Sequence, residues 1–252
     1  MQILIPTLRK KFSLINILAI SLLGGYIIYY ATFNGPWGFS DSAAYLVSAR
    51  NFVRGIGLGY YYPNGEFHIL TFYPPLYPLI LGALYGLLKI DIVIVARGLC
   101  MVLYILAIIG VGLIFDRFSK FNILTMAGVF VFAIFPPVLT LFSSAMSEPL
   151  FIFLLVWAVY ALLSYWETSS PGWFVASAIL TGMVSLTRYI GISLSMSMLI
   201  CVLLFETGAW RVRLKKIIFY GFLCGSMLLA WLMWTHFNTT ASVVAEIGRA
   251  HV

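Results

Sequence analysis

The sequence predicts an all-α polytopic membrane protein, a helix bundle of about seven transmembrane helices with interfacial helices in its first outer loop. Apolar residues make up 62% of the 252 residues and charged residues only 9%. Soluble proteins average about 45–50% and about 25%, and so few charges could not cover the surface of a soluble fold of this size. The apolar residues also fall into eight runs, with one long polar segment after the first run and short segments between the others.

The second apolar run is shorter than a usual membrane span. The eight runs cover residues 13–31, 74–88, 92–115, 122–142, 148–166, 172–187, 189–205 and 217–236. A spanning helix needs about 20 apolar residues. The run 74–88 has 15 residues, so it either spans the membrane, lies at its surface or re-enters it.

The distribution of Lys and Arg sets the orientation. If 74–88 does not cross, nine of these residues lie on the N-terminal, inner side and five on the outer side; if it crosses, the numbers are six and eight. The positive-inside rule favours the first arrangement, with an inner N-terminus and a long outer loop from Thr32 to about Ile90. The five outer cations are Arg50, Arg54, Lys89, Arg97 and Arg188.

The formal net charge of +7 does not point to nucleic acid, because the cations form short clusters between apolar runs and fit membrane anchoring. Cys100, Cys201 and Cys224 all fall inside apolar runs. No set of His, Cys and carboxylate residues has metal-ligand spacing, so we predict no metal site and no cofactor.

The outer loop opens with a predicted amphipathic helix capped by Ser40 or Asp41. Its apolar face is predicted to contain Tyr45, Ala49, Phe52 and Val53. The helix ends at Gly55 in a G-x-G-x-G run, which is no dinucleotide fingerprint because no strand precedes it and no helix follows it. The chemistry of Asp41 fits either a helix cap, next to the positive end of the helix dipole, or a general base above the bilayer.

Five further polar residues are candidates for ligand contact, each with a simpler structural alternative. Arg97 lies inside a run and either faces a polar cavity or snorkels to the interface. Arg188 lies between two runs, Glu148 suits a first helical turn, His68 suits a solvated loop, and Tyr73 suits a membrane interface before Pro74.

Four stretches in this order resemble the polyprenyl-phosphate-dependent GT-C glycosyltransferases. They are AYLVSARNFVRGIGLGYYYPNG after the first-loop acid, YPPLYPLILGAL, SSAMSEPLFIFLL and SLTRYIGISL. The resemblance is greatest to the glycosyltransferase family 39-like branch, with protein O-mannosyltransferases, aminoarabinose transferases and Rgt-like enzymes. A basic residue often precedes the Pro-Pro pair in the aminoarabinose enzymes, and Tyr73 at that position argues against that group.

The resemblance implies an inverting glycosyltransferase that moves a sugar from a polyprenyl-phosphate donor to an acceptor hydroxyl at the outer face of the plasma or inner membrane. The matching catalytic base is Asp41. The implied partners are the lipid-linked sugar, membrane lipids and an acceptor glycan, lipid or protein. Arginine suits the leaving phosphate because its guanidinium group is planar and always charged. The expected substrate-binding residues are Glu148, Arg188, Arg97, Tyr73 and His68.

The last residues of the sequence follow the final apolar run and show no pattern typical of a helix, strand or turn. Residues 246–252 resemble the translation of a sequencing adapter, so we expect a non-native tail there. Residues 1–245 are then expected to be the N-terminal part of a GT-C-like transmembrane catalytic domain, inactive when expressed alone.

Two other functions remain open from the sequence. A transporter or lipid flippase would use broken helices, such as one broken at Pro136-Pro137, together with charges at mid-membrane. A non-catalytic assembly subunit would tolerate substitution at Asp41, Glu148 and Arg188.

Overall fold

A computed structural model describes the backbone of residues 4–63, 65–119 and 121–250 and the side chains of 13–63, 65–119 and 121–238. The side chains of the predicted inner cluster at 9–11, Lys120 and the predicted tail at 246–252 lie outside the described residues. The helices are α1 Leu4–Ala31, α2 Ser40–Val53, α3 Leu76–Leu88, α4 Ile92–Phe118, α5 Asn122–Ile134, α6 Pro136–Phe142, α7 Glu148–Thr168, α8 Pro171–Thr187, α9 Gly191–Phe205 and α10 Trp210–Ala250. The predicted all-α bundle is confirmed.

Fewer helices are long enough to cross a membrane than the sequence suggested. Within the part of the chain that the structure describes, four helices pass by length and composition: Ser13–Ala31, Ile92–Phe118, Glu148–Thr168 and Trp210–Asn238. The pair α5–α6, bent by 56°, makes a fifth if it is one span. Helices α8 and α9 have 17 and 15 residues, about 25 and 22 Å at 1.5 Å per residue, against a hydrocarbon core of about 30 Å. By this measure the predicted count of seven is too high.

The helices run back and forth so that their polar ends gather at two opposite ends of the bundle. At one end, which we call the Asp41 end, Arg97 of α4 meets the last turn of α1, and Arg188 after α8 meets Ser147 before α7. At the opposite end, Ser13 of α1 donates to Asp116 of α4. Helix α7 packs between α4 and α8, and α10 packs on α8. The long loop between α1 and α4 therefore lies wholly at the Asp41 end.

The cap and the buried face of α2 differ from the sequence prediction. The N-cap is Phe39, whose backbone N–H donates to Ser42 Oγ at 3.0 Å, so Asp41 lies in the first turn and is not the cap. Of the four residues on the predicted apolar face, Tyr45 and Ala49 are buried within the protein, whereas Phe52 and Val53 are 44% and 41% exposed.

Ser42, Ser48 and Asn51 of α2 are buried as well. These polar side chains are buried because α2 packs against α3 on one side and against the segment that follows α2 on another. A Cβ at Gly82 of α3 would lie only 3.1 Å from the Ala49 carbonyl oxygen, and the Asn51 side chain donates to the Gly59 carbonyl.

A β-hairpin that the sequence analysis did not predict follows α2. Strands β1 (Gly59–Tyr61) and β2 (Phe67–Ile69) pair antiparallel, with Tyr60 opposite His68. A Cβ at Gly59 would lie 2.1 Å from the His68 carbonyl oxygen, so the two strands meet this closely only with glycine there. The sequence contained a signal for it, because Asn-Gly between two aromatic segments, here at 64–65, is a strong indication of a hairpin turn.

Candidate functional site

Asp41 is held by two hydroxyl groups at the start of α2. Its Oδ1 accepts a hydrogen bond from the Tyr73 hydroxyl at 2.8 Å and one from Ser40 Oγ at 3.0 Å. Tyr73 lies just before α3, so the contact joins the start of α2 to the segment that leads into α3. The described residues give Oδ2 no hydrogen-bond partner, and Asp41 is only half-buried. One carboxylate oxygen is therefore fixed while the other faces the surroundings.

The Tyr73 hydroxyl remains a donor over the whole neutral range. Burial, followed by the hydrogen bond to Asp41, raises the pKa of Tyr73 to about 12. Its ring lies 5.1 Å from that of Tyr45, which in turn lies 5.2 Å from that of Tyr77. Asp41 thus sits at the edge of a cluster of three tyrosines.

Tyr45 and Ser147 connect this cluster to Arg188. The Tyr45 side chain is 1% exposed, and its hydroxyl lies 3.1 Å from Ser147 Oγ. Arg188 Nη1 donates to the same Ser147 oxygen at 3.2 Å. Burial raises the pKa of Tyr45, so its hydroxyl also stays protonated. A continuous polar path therefore leads from α2 through the start of α7 to the end of α8.

Arg188 is oriented by Glu148, the first residue of α7. Its Nη1 lies 2.5 Å from Glu148 Oε1, and the backbone extends away from α8 at Arg188, where the helix ends. Within the described residues, the other guanidinium N–H groups have no hydrogen-bond partner, and Glu148 Oε2 is buried without one. The guanidinium is therefore held at one nitrogen and can bind an anion through the others.

Two of the predicted ligand-binding residues lie elsewhere. Arg97 donates from Nη2 to the Tyr29 carbonyl at 2.7 Å and lies 4.3 Å from the centre of the Tyr29 ring, which ties α4 to α1. His68 lies on β2, with its Nε2 3.7 Å from Glu66 Oε2. In the described part of the chain, neither contacts Asp41 or Arg188, and their roles in substrate binding stay predictions.

Sequence reasoning missed three residues that build the site. Tyr45 was assigned only to an apolar face, and Ser147 was not singled out although it precedes Glu148. Tyr189 donates from its hydroxyl to the Thr71 carbonyl at 3.0 Å and accepts from Trp231 Nε1 at 3.3 Å, which closes the loop onto α10. Only the adjacency of Ser147 and Tyr189 to predicted residues could have marked them.

Comparisons with known proteins give one family and one fold. The profile of a family described as dolichyl-phosphate-mannose-protein mannosyltransferase matches residues 73–234. This segment contains Tyr73, Glu148 and Arg188, whereas Asp41 precedes it. Among curated proteins, none matches the sequence.

A similar solved structure is that of the S. cerevisiae protein O-mannosyltransferase Pmt1-Pmt2 complex bound to the sugar donor. The TM-score is 0.64 at 14% sequence identity, over 91% of this chain and 34% of the matched chain. At this identity the likeness shows a shared fold. The chain spans about one third of the length of that relative.

Proposed function

Since the chain belongs to the dolichyl-phosphate-mannose-protein mannosyltransferase family, we propose that it carries the base and the phosphate-binding arginine of a membrane glycosyltransferase. The enzyme takes a sugar from a polyprenyl-phosphate donor and transfers it to an acceptor hydroxyl. The acceptor is a glycan, a lipid or a protein.

The observation that supports this proposal most is the joining of Asp41 to Arg188 at one end of the bundle. Tyr73 donates to Asp41 and packs its ring on Tyr45. The Tyr45 hydroxyl is in turn linked through Ser147 to Arg188. Glycosyl transfer needs a base for the acceptor and a cation for the departing phosphate. One residue of each kind lies at this site, on elements far apart in the sequence.

In the proposed step, the free Oδ2 of Asp41 takes the proton of the acceptor hydroxyl. The acceptor oxygen then forms a bond to the anomeric carbon on the face opposite the phosphate. The bond between that carbon and the phosphate oxygen breaks, and the phosphate leaves with the electron pair, next to Arg188. The sugar is transferred with inversion of configuration.

The residues around these two groups have positioning roles. Tyr73 fixes the carboxylate through Oδ1, and Glu148 fixes the guanidinium through Nη1. A charge-assisted hydrogen bond of this kind is short and directional, so both groups are held before the substrates arrive. The positive-inside count supports an outward orientation of this end in the plasma or inner membrane.

A transfer assay on the full-length protein in membranes tests the proposal. Labelled polyprenyl-phosphate sugars are offered with glycan, lipid and peptide acceptors. The expected result is transfer by the wild type and loss of about 100-fold or more in Asp41→Asn, the usual scale of general-base catalysis. Asp116→Asn is the matched control, because Asp116 lies at the opposite end and bonds Ser13. Equal transfer by Asp41→Asn and wild type would refute the assignment of the base.

One observation favours the second candidate, a transporter or lipid flippase. The 56° bend between α5 and α6 is a broken helix of the kind found in transporters. Asp41, Arg188 and Glu148 lie on other elements, so the bend does not form the site. Movement of a lipid-linked sugar across the membrane, with no transfer to any acceptor, would support this function over the first.

A further inference from the structure

Three cations gather in one cavity that the proposed transfer does not use. The predicted outer side carries five Lys and Arg residues, which the positive-inside rule disfavours. Arg97 bonds the end of α1 and Arg188 pairs with Glu148. The other three, Arg50, Arg54 and Lys89, line the same cavity.

The cavity lies where the C-terminal ends of α2 and α3 meet the start of α4. It has a volume of about 650 Å³, and its walls include Tyr85, Gly86 and Ile90 in addition to the cations. Asp91 also lines it and lies 3.3 Å from Arg50. Within the described residues, Arg54 and Lys89 form no ion pair, so the cavity has an excess of two positive charges.

Lys89 occupies a backbone position that disfavours it. It ends α3 in the left-handed conformation, with φ of +54°. Glycine or asparagine is usual at this position of a helix end. A lysine there brings its charge to the cavity at a cost in backbone strain, and strained positions of this kind concentrate where ligands bind.

Exposed apolar side chains lie in the wall of the cavity and next to it in the chain. Val53 and Ile90 line the cavity and are exposed. Leu87 and Leu88, which immediately precede Lys89, are exposed as well, Leu87 by 77%. Cations next to an apolar surface fit an amphiphile, whose charged group meets the cations while its chain covers the apolar residues. A soluble anion would make no use of this apolar surface.

We propose that Arg50, Arg54 and Lys89 bind the phosphate-bearing headgroup of an anionic membrane lipid. The site lies at the C-terminal end of α2, and Asp41 lies at the N-terminal end of the same helix. Bound lipid would join α2 and α3 to the membrane surface. The proposal does not depend on glycosyl transfer, and its test needs no activity.

Photolabelling of the full-length protein tests this site. The protein is reconstituted into phosphatidylcholine vesicles containing phosphatidylglycerol with a diazirine near its headgroup, and labelled peptides are mapped. We expect labelling around residues 50–54 and 85–91. Arg54→Gln/Lys89→Gln should reduce it about tenfold, since each cation near an anionic lipid adds to the attraction. This double variant keeps the Arg50–Asp91 pair, which protects the fold.

Arg211→Gln/Lys215→Gln is the matched control, because it removes two cations at the opposite end of the bundle. Labelling at 50–54 and 85–91 should be unchanged in it. Unchanged labelling in Arg54→Gln/Lys89→Gln would overturn the proposal. So would equal labelling by a phosphatidylcholine probe, which would indicate apolar contact alone, or loss of labelling on addition of inorganic phosphate, which would indicate a site for a free anion.

Discussion

The Tyr73 hydroxyl donates a 2.8 Å hydrogen bond to Asp41 Oδ1 and so joins the segment just before α3 to the first turn of α2. This bond fixes the carboxylate without using the oxygen that a substrate would approach. It also gives Tyr73 a role for which an arginine or lysine at the same position would be less suited, because a cation there would weaken the proposed base.

Tyr73→Phe removes this hydrogen bond and keeps the ring that packs on Tyr45. We expect the folded state to persist and the turnover of sugar transfer to fall about tenfold, because small displacements of a reacting group are costly. The donor KM should stay near the wild-type value. Steady-state kinetics of both proteins measure the two constants, and a change confined to KM would contradict a positioning role.

The ionisation of Tyr73 provides a prediction that needs no substrate. Its pKa is raised to about 12 by burial and by Asp41. The difference in tyrosinate absorbance between wild type and Tyr73→Phe should therefore show one tyrosine titrating near that value. Asp41→Asn should lower this pKa, because it removes the negative charge that disfavours the tyrosinate. A tyrosine that titrates at its ordinary value in the wild type would exclude the contact.

The raised pKa of Tyr73 also determines how the free energy of unfolding changes with pH. Below a pH of about 10, Tyr73 is protonated in both the folded and the unfolded chain. Above it the unfolded chain loses the proton first, so the stabilisation by Tyr73 is lost as the pH rises towards 12. The wild type should lose more free energy of unfolding over this interval than Tyr73→Phe. Denaturation in detergent at a series of pH values provides the comparison.

Ser147→Ala removes the hydroxyl that Tyr45 and Arg188 share. Ser147 forms no side-chain cap on α7, so the change tests the polar path alone. We expect a loss of about 1–3 kcal/mol in the free energy of unfolding, because a buried hydroxyl loses its partner. Ser193→Ala, at an exposed serine, is the control. Equal stability of both variants would show that the path contributes nothing.

Gly59→Ala tests the close approach of the two strands. The added Cβ would meet the His68 carbonyl oxygen, so the hairpin must shift, at a cost of about 1–3 kcal/mol. Faster proteolysis between residues 59 and 69 is the expected readout. Gly38→Ala serves as control, because nothing lies within 4 Å of its added Cβ. Identical cleavage of both variants would exclude the strand pairing.

Long apolar runs located the main helices well. The runs 92–115 and 148–166 correspond to α4 and α7 almost residue for residue, because about 20 predominantly apolar residues are typical of a spanning helix. The predicted number of spans was too high because of α8 and α9, which are as apolar as α4 and α7 but shorter. The hairpin was missed because its turn signal was not weighed against the apolar pattern.

The sequence predicted the ionisable residues of the candidate site, but not the hydrogen bonds that connect them. Asp41, Glu148 and Arg188 stand out in the sequence as ionisable residues at the ends of apolar runs. The contacts of Tyr45 with Ser147, and of Ser147 with Arg188, depend on how α2 packs against α7 and α8. Such contacts join distant segments, and no local pattern encodes them.

The most direct test of the central claim measures donor binding and transfer separately in Asp41→Asn and Arg188→Gln. If Asp41 is the base and Arg188 binds the phosphate, Asp41→Asn should bind the polyprenyl-phosphate sugar as the wild type does and fail to transfer it. Arg188→Gln should lose donor affinity by about tenfold or more, as expected for a charge-assisted hydrogen bond. Wild-type transfer by Asp41→Asn, or unchanged donor affinity in Arg188→Gln, would contradict the assignment.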